Sequence, residues 1–353
     1  MNPGRPTARR ISMAWCAGAR LAGARVGEET LGYTGSMADE SLPGQMRSAA
    51  TALLKALPGG QLELAARPFS DDAARRWLEY RPEPRPGASI ADMSVEARKA
   101  AHRLLSTGLS EHAYAQAMVI IALEEVLDRQ ERWRRHRHSN DYWVSVFGDP
   151  DGDDPWSWRF EGHHLSVTMT LRGDEISPAP VFLGANPALV SYGGQAVSRP
   201  LPLEEDLARE VLAALDPAQR EIAVVSGQAP YDIRSGTRSR AQDRIEPPGV
   251  AASRLGPAPR ALLDQLVTLY LDRLPASLAA REAARVNAGE LYFAWQGPAT
   301  PGVRHYYRVQ GDDLLIEYDN TTENGNHQHT VLRRPRSDFG ADVLAAHLSH
   351  AHR

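Results

Sequence analysis

Between residues 291 and 332 the chain runs through four short segments, LYFAW, RHYYRVQ, DLLIEYDN and HQHTVL, each with strand-type alternation and each joined to the next by a turn. Parallel strands need crossovers of a dozen or more residues, so connections this short leave only antiparallel neighbours. A C-terminal β-meander is therefore the element the rest of the fold must accommodate. Upstream, YWVSVFGDPDGDDPWSWRFEGHHLSVTMTL and APVFLGANPALV read as further strands, with RGDE at 172–175 as a hairpin turn. Residues 45–138 read instead as helices: PGQMRSAATALLKAL, SDDAARRWLEY, SVEARKAAHRLLSTGL and the long SEHAYAQAMVIIALEEVLDRQERWRRHR carry apolar residues at helical spacing. Ser70 and Ser94 stand as candidate N-caps. More helices, EEDLAREVLAAL, DPAQREIAVVS, PRALLDQLVTLYLDRL and AAREAARVNAG, fall between the two strand regions, and DFGADVLAAHLSHAH closes the chain as another. Strands and helices do not alternate as a doubly wound sheet requires. The expected class is α+β: a helical N-terminal region packed with an antiparallel, meander-containing β-sheet and interleaved helices, forming one domain over 37–353.

Composition narrows the class of function. With 42% apolar and 24% charged residues the 353-residue chain is that of a soluble globular protein. No apolar run approaches the ~20 residues of a membrane span. The net charge of −4 recruits neither nucleic acid nor an acidic membrane. One cysteine, Cys16, excludes an internal disulfide and any cysteine-based zinc cluster, so a metal would have to be held by His, Asp or Glu. The two lysines, Lys55 and Lys99, lie far from the polar clusters below, which argues against Schiff-base chemistry. Residues 1–36 have a basic start and a short apolar patch ended by Arg20, and Met37 opens what reads as an ordinary protein start. They are read as a disordered or mis-called extension on a cytoplasmic protein, with export through this segment as the alternative.

Chemistry concentrates in EYDNTTENGNHQHTVL, residues 317–332. Side chains alternate along a strand, so His327 and His329 share a face. If Gly311 to Asp313 form a three-residue turn, His305 falls opposite Asp319 and Tyr307 opposite Glu317, and one face carries His305, Tyr307, Glu317, Asp319, His327 and His329. A one-residue slip would move His305 to the other side. Three histidines and two carboxylates suit zinc, iron or copper. In FEGHHLSVTMT, strand parity puts His163 with Leu165, Val167 and Met169, and His164 with Ser166, Thr168 and Thr170, so only one of the two joins a given site. Gly162 before them suggests a bulge or a close backbone approach. His347 and His350, three apart on a helix, could face the same region; His136 and His138 belong to a cationic helix end. The loop 227–259, rich in Gly, Pro, Arg and Ser, has the length of a binding loop or lid. No G-x-S-x-G, Walker, G-x-G-x-x-G or H-E-x-x-H motif is present.

WRFEGHHLSVTMTL, FLGANPALV, HYYRVQGDDLLIEYDNTTENGNHQHTVLR and DFGADVLAAH together resemble the domain of unknown function 3500 family over roughly residues 45–350. The family is one of bacterial and fungal proteins without an assigned reaction, so the resemblance implies a fold and a shared polar cluster: Glu161, Gly162, His163, His164, Asn186, His305, Tyr306, Arg308, Glu317, Asp319, Asn320, His327, His329, Asp338 and His347. LRRPRSDFG departs from a segment that more typically reads like Trp-Arg-Asp, and residues 1–36 match nothing in the family. The sequence therefore points first to a metal-dependent hydrolase or oxidoreductase on a small molecule. Its ligands would come from His163, His164, His305, His327 and His329, with Glu317, Asp319 and Tyr307 as catalytic groups. A metal-free hydrolase or lyase using a His/Asp general base, or a protein that binds a small ligand without turnover, are the alternatives.

Overall fold

The computed structural model describes residues 40–133 and 138–341, which lie within a compact unit starting at Glu40. The expectations for the 1–36 extension, Cys16, His136, His347, His350 and the closing helix beyond 341 fall outside the described residues. Eight strands form the body of the sheet: β1 Tyr142–Phe147, β2 Trp156–Gly162, β3 Leu165–Arg172, β4 Val181–Ala185, β5 Tyr292–Gln296, β6 Tyr306–Gln310, β7 Leu315–Thr322 and β8 His327–Arg333. They are ordered β1-β2-β3-β4-β8-β7-β6-β5, all antiparallel to their neighbours. Short strands widen the sheet, and two of them, Ala66–Arg67 beside β1 and Val224–Ser226 beside β5, are parallel. The class is α+β, as the segment pattern predicts; the body of the sheet is antiparallel, and these two short strands make the whole mixed.

Facing residues of antiparallel strands share a face, so the register assigns every side chain. One row crosses all eight strands as Val144, Phe160, Val167, Val181, Leu332, Ile316, Val309 and Phe293. All eight are buried in the main hydrophobic core. That face takes the helices α1 Leu42–Ala56, α2 Val95–Gly108, α3 Glu111–Gln130, α4 Pro202–Ala214 and α5 Pro257–Leu271. Ser94 caps α2 as predicted, accepting from the Ala97 N–H. Gly108 ends α2 against the ring of Trp158; a Cβ there would stand 2.6 Å from Cη2, so glycine is what lets helix and sheet close up. The helix predicted from Ser70 shrinks to Asp72–Arg75, with Asp71 as its cap.

One residue along, the opposite face reads Trp143, Glu161, Ser166, Phe182, Val331, Glu317 and Arg308. It is polar yet buried at Glu161, Ser166, Glu317 and Arg308. What covers its meander half is the loop from 227 to 249. Backbone N–H groups of Arg234 and Ser235 donate to Glu317 at 2.6 and 3.1 Å, Arg308 donates to the Ile245 carbonyl at 3.2 Å, and Arg333 to the Arg238 carbonyl at 2.8 Å. The loop is thus fastened along the strands by the charges it buries.

Candidate functional site

His163 and His164 are the two turn residues of the β2–β3 hairpin, because Gly162 pairs with Leu165. This corrects the parity argument: alternation separates neighbours within a strand, not across a turn. His164 adopts a φ of +61°, and the two rings lie side by side, centroids 3.6 Å apart. Three hydrogen bonds pin the turn: His164 N–H to the Tyr80 carbonyl (3.1 Å), Gly184 N–H to the His164 carbonyl (2.7 Å) and Tyr142 Oη to the His163 carbonyl (2.9 Å). Gly162 is a close approach, as its position suggested; a Cβ there would overlap the Tyr142 ring.

The β7–β8 turn brings two more imidazoles to this corner. His327 and His329 have ring centroids 4.6 Å apart, and those of His164 lie 4.7 and 5.5 Å from them. Nε2 of His164 is 2.7 Å from Nε2 of His327. Nδ1 of His329 is 2.9 Å from Asp232 and 3.3 Å from Asp319, which faces it across the β7–β8 pair. Asp232 belongs to the covering loop and also accepts from Tyr80 Oη at 2.8 Å. The Tyr80 ring stacks on Phe182 at 4.2 Å, which fixes the phenol beneath the loop. On the other side, His163 Nδ1 lies 2.6 Å from Glu124 Oε1, and His164 Nδ1 lies 4.0 Å from the same oxygen. The result is a continuous chain from Glu124 through His163, His164, His327 and His329 to Asp319 and Asp232. Three sets within it, His164–His327–His329, Glu124–His163–His164 and Asp232–Asp319–His329, each present ligand atoms within 4.8 Å of one another.

The chain is sharply polarised. Burial favours the neutral form of His329, but the charge of Asp319 and the hydrogen bonds to Asp232 and Asp319 outweigh it and hold the imidazolium up to about 10. Burial, reinforced by His163, His327 and His329, pushes His164 well below the usual imidazole range. Burial and then Asp141 raise Glu124 to about 8. Asp232 and His327 are only partly covered and mark one opening; Glu124 and His163 border a separate cleft with Pro82, Arg85, Asp141 and Trp143.

His305 and Tyr307 do not join this site. The turn after β6 has four residues, Gly311 to Leu314, rather than three, so Gln310 pairs with Leu315 and the register slips by one. Tyr306, not His305, then faces Asp319, and Arg308, not Tyr307, faces Glu317. His305 lies on the helix face between Trp295 (4.5 Å) and Tyr318 (5.1 Å), with Arg209 Nη2 3.1 Å from Nδ1. Burial, and then the Arg209 charge, lower it to about 4. Tyr307 shares that face, its hydroxyl 2.8 Å from Tyr270 Oη and 2.6 Å from the Glu204 carbonyl. Glu317 stays on the site's face but serves the loop, accepting from Arg234 and Ser235 and from Tyr306 Oη at 2.8 Å. Asp319 faces His329, and β7 continues to Thr322, which pairs with His327 across an irregularity.

Sequence reasoning missed three contributors. Glu124 occupies a core position of α3, four residues after buried Ile120 and three before buried Leu127; an acid in that stripe is the signal that could have found it. Asp232 lies in the loop picked out as a binding loop, but nothing local distinguishes it from the other acids there. Tyr80 gave no signal.

Fold and site together define an α+β protein with a buried histidine–carboxylate chain at one corner of a meander-containing sheet, closed by a long loop. Among the described residues no helix is long and apolar enough to cross a membrane. The chain belongs to the family described as "Protein of unknown function (DUF3500)", whose model matches residues 40–341. No curated protein and no solved structure matches it.

Proposed function

We propose that this protein is a metal-dependent enzyme acting on a small molecule, with His164, His327 and His329 holding one divalent transition metal such as zinc, iron or copper. The observation that carries the reading is the convergence of three imidazoles, two of them with Nε2 atoms 2.7 Å apart, while the third has Nδ1 anchored by Asp232 and Asp319. A carboxylate on one ring nitrogen is the usual means of orienting a histidine so that the other nitrogen meets a metal. Binding requires His329, an imidazolium in the metal-free protein, to release its second ring proton; three neutral nitrogen ligands then leave a fourth position for water, whose ionisation the metal would promote. Substrate would approach from the side where His327 and Asp232 are partly exposed. Hydrolysis is the simplest reaction such a centre supports, and a redox-active metal would extend it to oxidation.

Elemental analysis of protein purified without a histidine tag tests the centre, and turnover of a metabolite pool before and after chelation tests its use. The reading requires bound metal in the wild type, loss of one equivalent in a His327→Ala, His329→Ala double variant, and turnover that stops on chelation and returns with metal. A second reading, a metal-free general base, is favoured by the Tyr80–Asp232–His329 hydrogen-bond chain. Turnover by demonstrably metal-free protein would select it; stoichiometric binding of a metabolite without turnover would select a pure binding function.

A further inference from the structure

The three-histidine set leaves part of the polar chain unused. Glu124 and His163 are both nine-tenths or more buried, although one is a carboxylate and the other an imidazole. They are not sealed in the core: both line the cleft of about 190 Å³ that also presents Asp141 and Trp143. Their contact, 2.6 Å between His163 Nδ1 and Glu124 Oε1, is matched by the approach of His164 Nδ1 to the same oxygen at 4.0 Å. His164 is thereby placed with one ring nitrogen toward Glu124 and the other, Nε2, toward His327 at 2.7 Å.

We propose that Glu124, His163 and Nδ1 of His164 form a second divalent-metal site, joined to the first through the His164 ring. This rests on the reading of His164, His327 and His329 as the first centre. A mixed imidazole–carboxylate set suits zinc or copper(II). The second ion takes the place of the proton held between Glu124 and His163 and of the proton on His164 Nδ1, and both protons leave to solvent through the cleft. His164 then bridges the two ions as an imidazolate, Nε2 on one and Nδ1 on the other. The two ions differ in access: the first opens where His327 and Asp232 are partly exposed, the second onto the cleft beside Trp143. A substrate held by one centre could therefore be polarised by a neighbour that faces a different chamber.

The test uses the full-length, untagged chain, stripped with chelator, reloaded with excess zinc and dialysed against a weak competing chelator before elemental analysis. The expected result is two equivalents in the wild type, one in Glu124→Gln and one in His327→Asn, each variant checked for native circular dichroism. Copper(II) supplies a measurement that needs no variant: two bridged ions couple, so the doubly loaded wild type gives less paramagnetic resonance signal than its copper content requires. One equivalent in the wild type, two equivalents surviving in Glu124→Gln, or two uncoupled coppers would overturn the second site while leaving the first. No bound metal in the wild type would overturn both.

Discussion

Asp232 reaches His329 from the covering loop, 97 residues away in sequence, and its carboxylate joins Nδ1 of that ring to the hydroxyl of Tyr80. The loop is therefore part of the site, because the group that orients a meander histidine is carried on it. Burial works against the charge of Asp232, yet its hydrogen bond to His329 keeps the carboxyl below the usual range.

This gives the first prediction. Asp232→Asn removes a carboxylate behind the ring while leaving Asp319 in place, and loss of such a partner lowers metal affinity by about 10- to 100-fold. A competition titration with a chromophoric chelator reads the change. Unchanged affinity would mean that Asp319 alone orients His329.

A second prediction concerns the hairpin that carries His163 and His164. Gly162→Ala places a methyl group in the Tyr142 ring, so the ring must move or the turn must tilt. Overpacking of this kind costs roughly 1–3 kcal/mol. Because Tyr142 also holds the His163 carbonyl at 2.9 Å, metal affinity should fall along with stability. Tyr142→Phe loses that hydrogen bond without the clash and should bind metal more tightly than Gly162→Ala. Equal affinity of wild type and Gly162→Ala would show that the turn does not set the geometry of the site.

His305 predicts a pH dependence unrelated to metal. Its imidazole sits at about 4 in the folded protein, below the ordinary value of 6.5, because burial and Arg209 oppose its charge. Above the ordinary value both folded and unfolded forms are neutral, and stability is fully present. As pH falls toward 4 the unfolded chain takes up a proton that the folded chain refuses, so stability is lost across that window. The loss amounts to about 3 kcal/mol at ~1.4 kcal/mol per pKa unit. Urea unfolding of wild type and His305→Gln at several pH values isolates it: the stability difference between them should shrink or reverse as pH drops from 7 to 4. A difference independent of pH would remove His305 from the acid response.

Legibility in the sequence followed the range of the interactions. Alternation along the strands and the helical spacing of LLKAL, HRLL and MVIIAL reported local geometry, and so the α+β class was legible. The shared face of His327 and His329 was legible because it depends on strand parity alone. Placing His305 required the length of one turn, and a fourth residue, Leu314, reversed its face. His163 and His164 were set apart by a strand rule where the chain makes a turn. Glu124 and Asp232 reach the site through packing of a helix and a loop across long sequence separations, which local periodicity does not encode.

The most direct measurement of the central claim is melting temperature with and without chelator as a function of pH. A metal that binds only the native state stabilises it by mass action, and protons compete with it for the imidazole nitrogens, most strongly at His329, whose imidazolium is held up to about 10. The three-histidine centre predicts a chelator-sensitive gap at about pH 7.5 that closes by about pH 5, and a smaller gap in His327→Ala, His329→Ala protein at the higher pH. Coincident wild-type curves across that range, in protein free of metal as purified and unresponsive to added zinc, iron or copper, would contradict it.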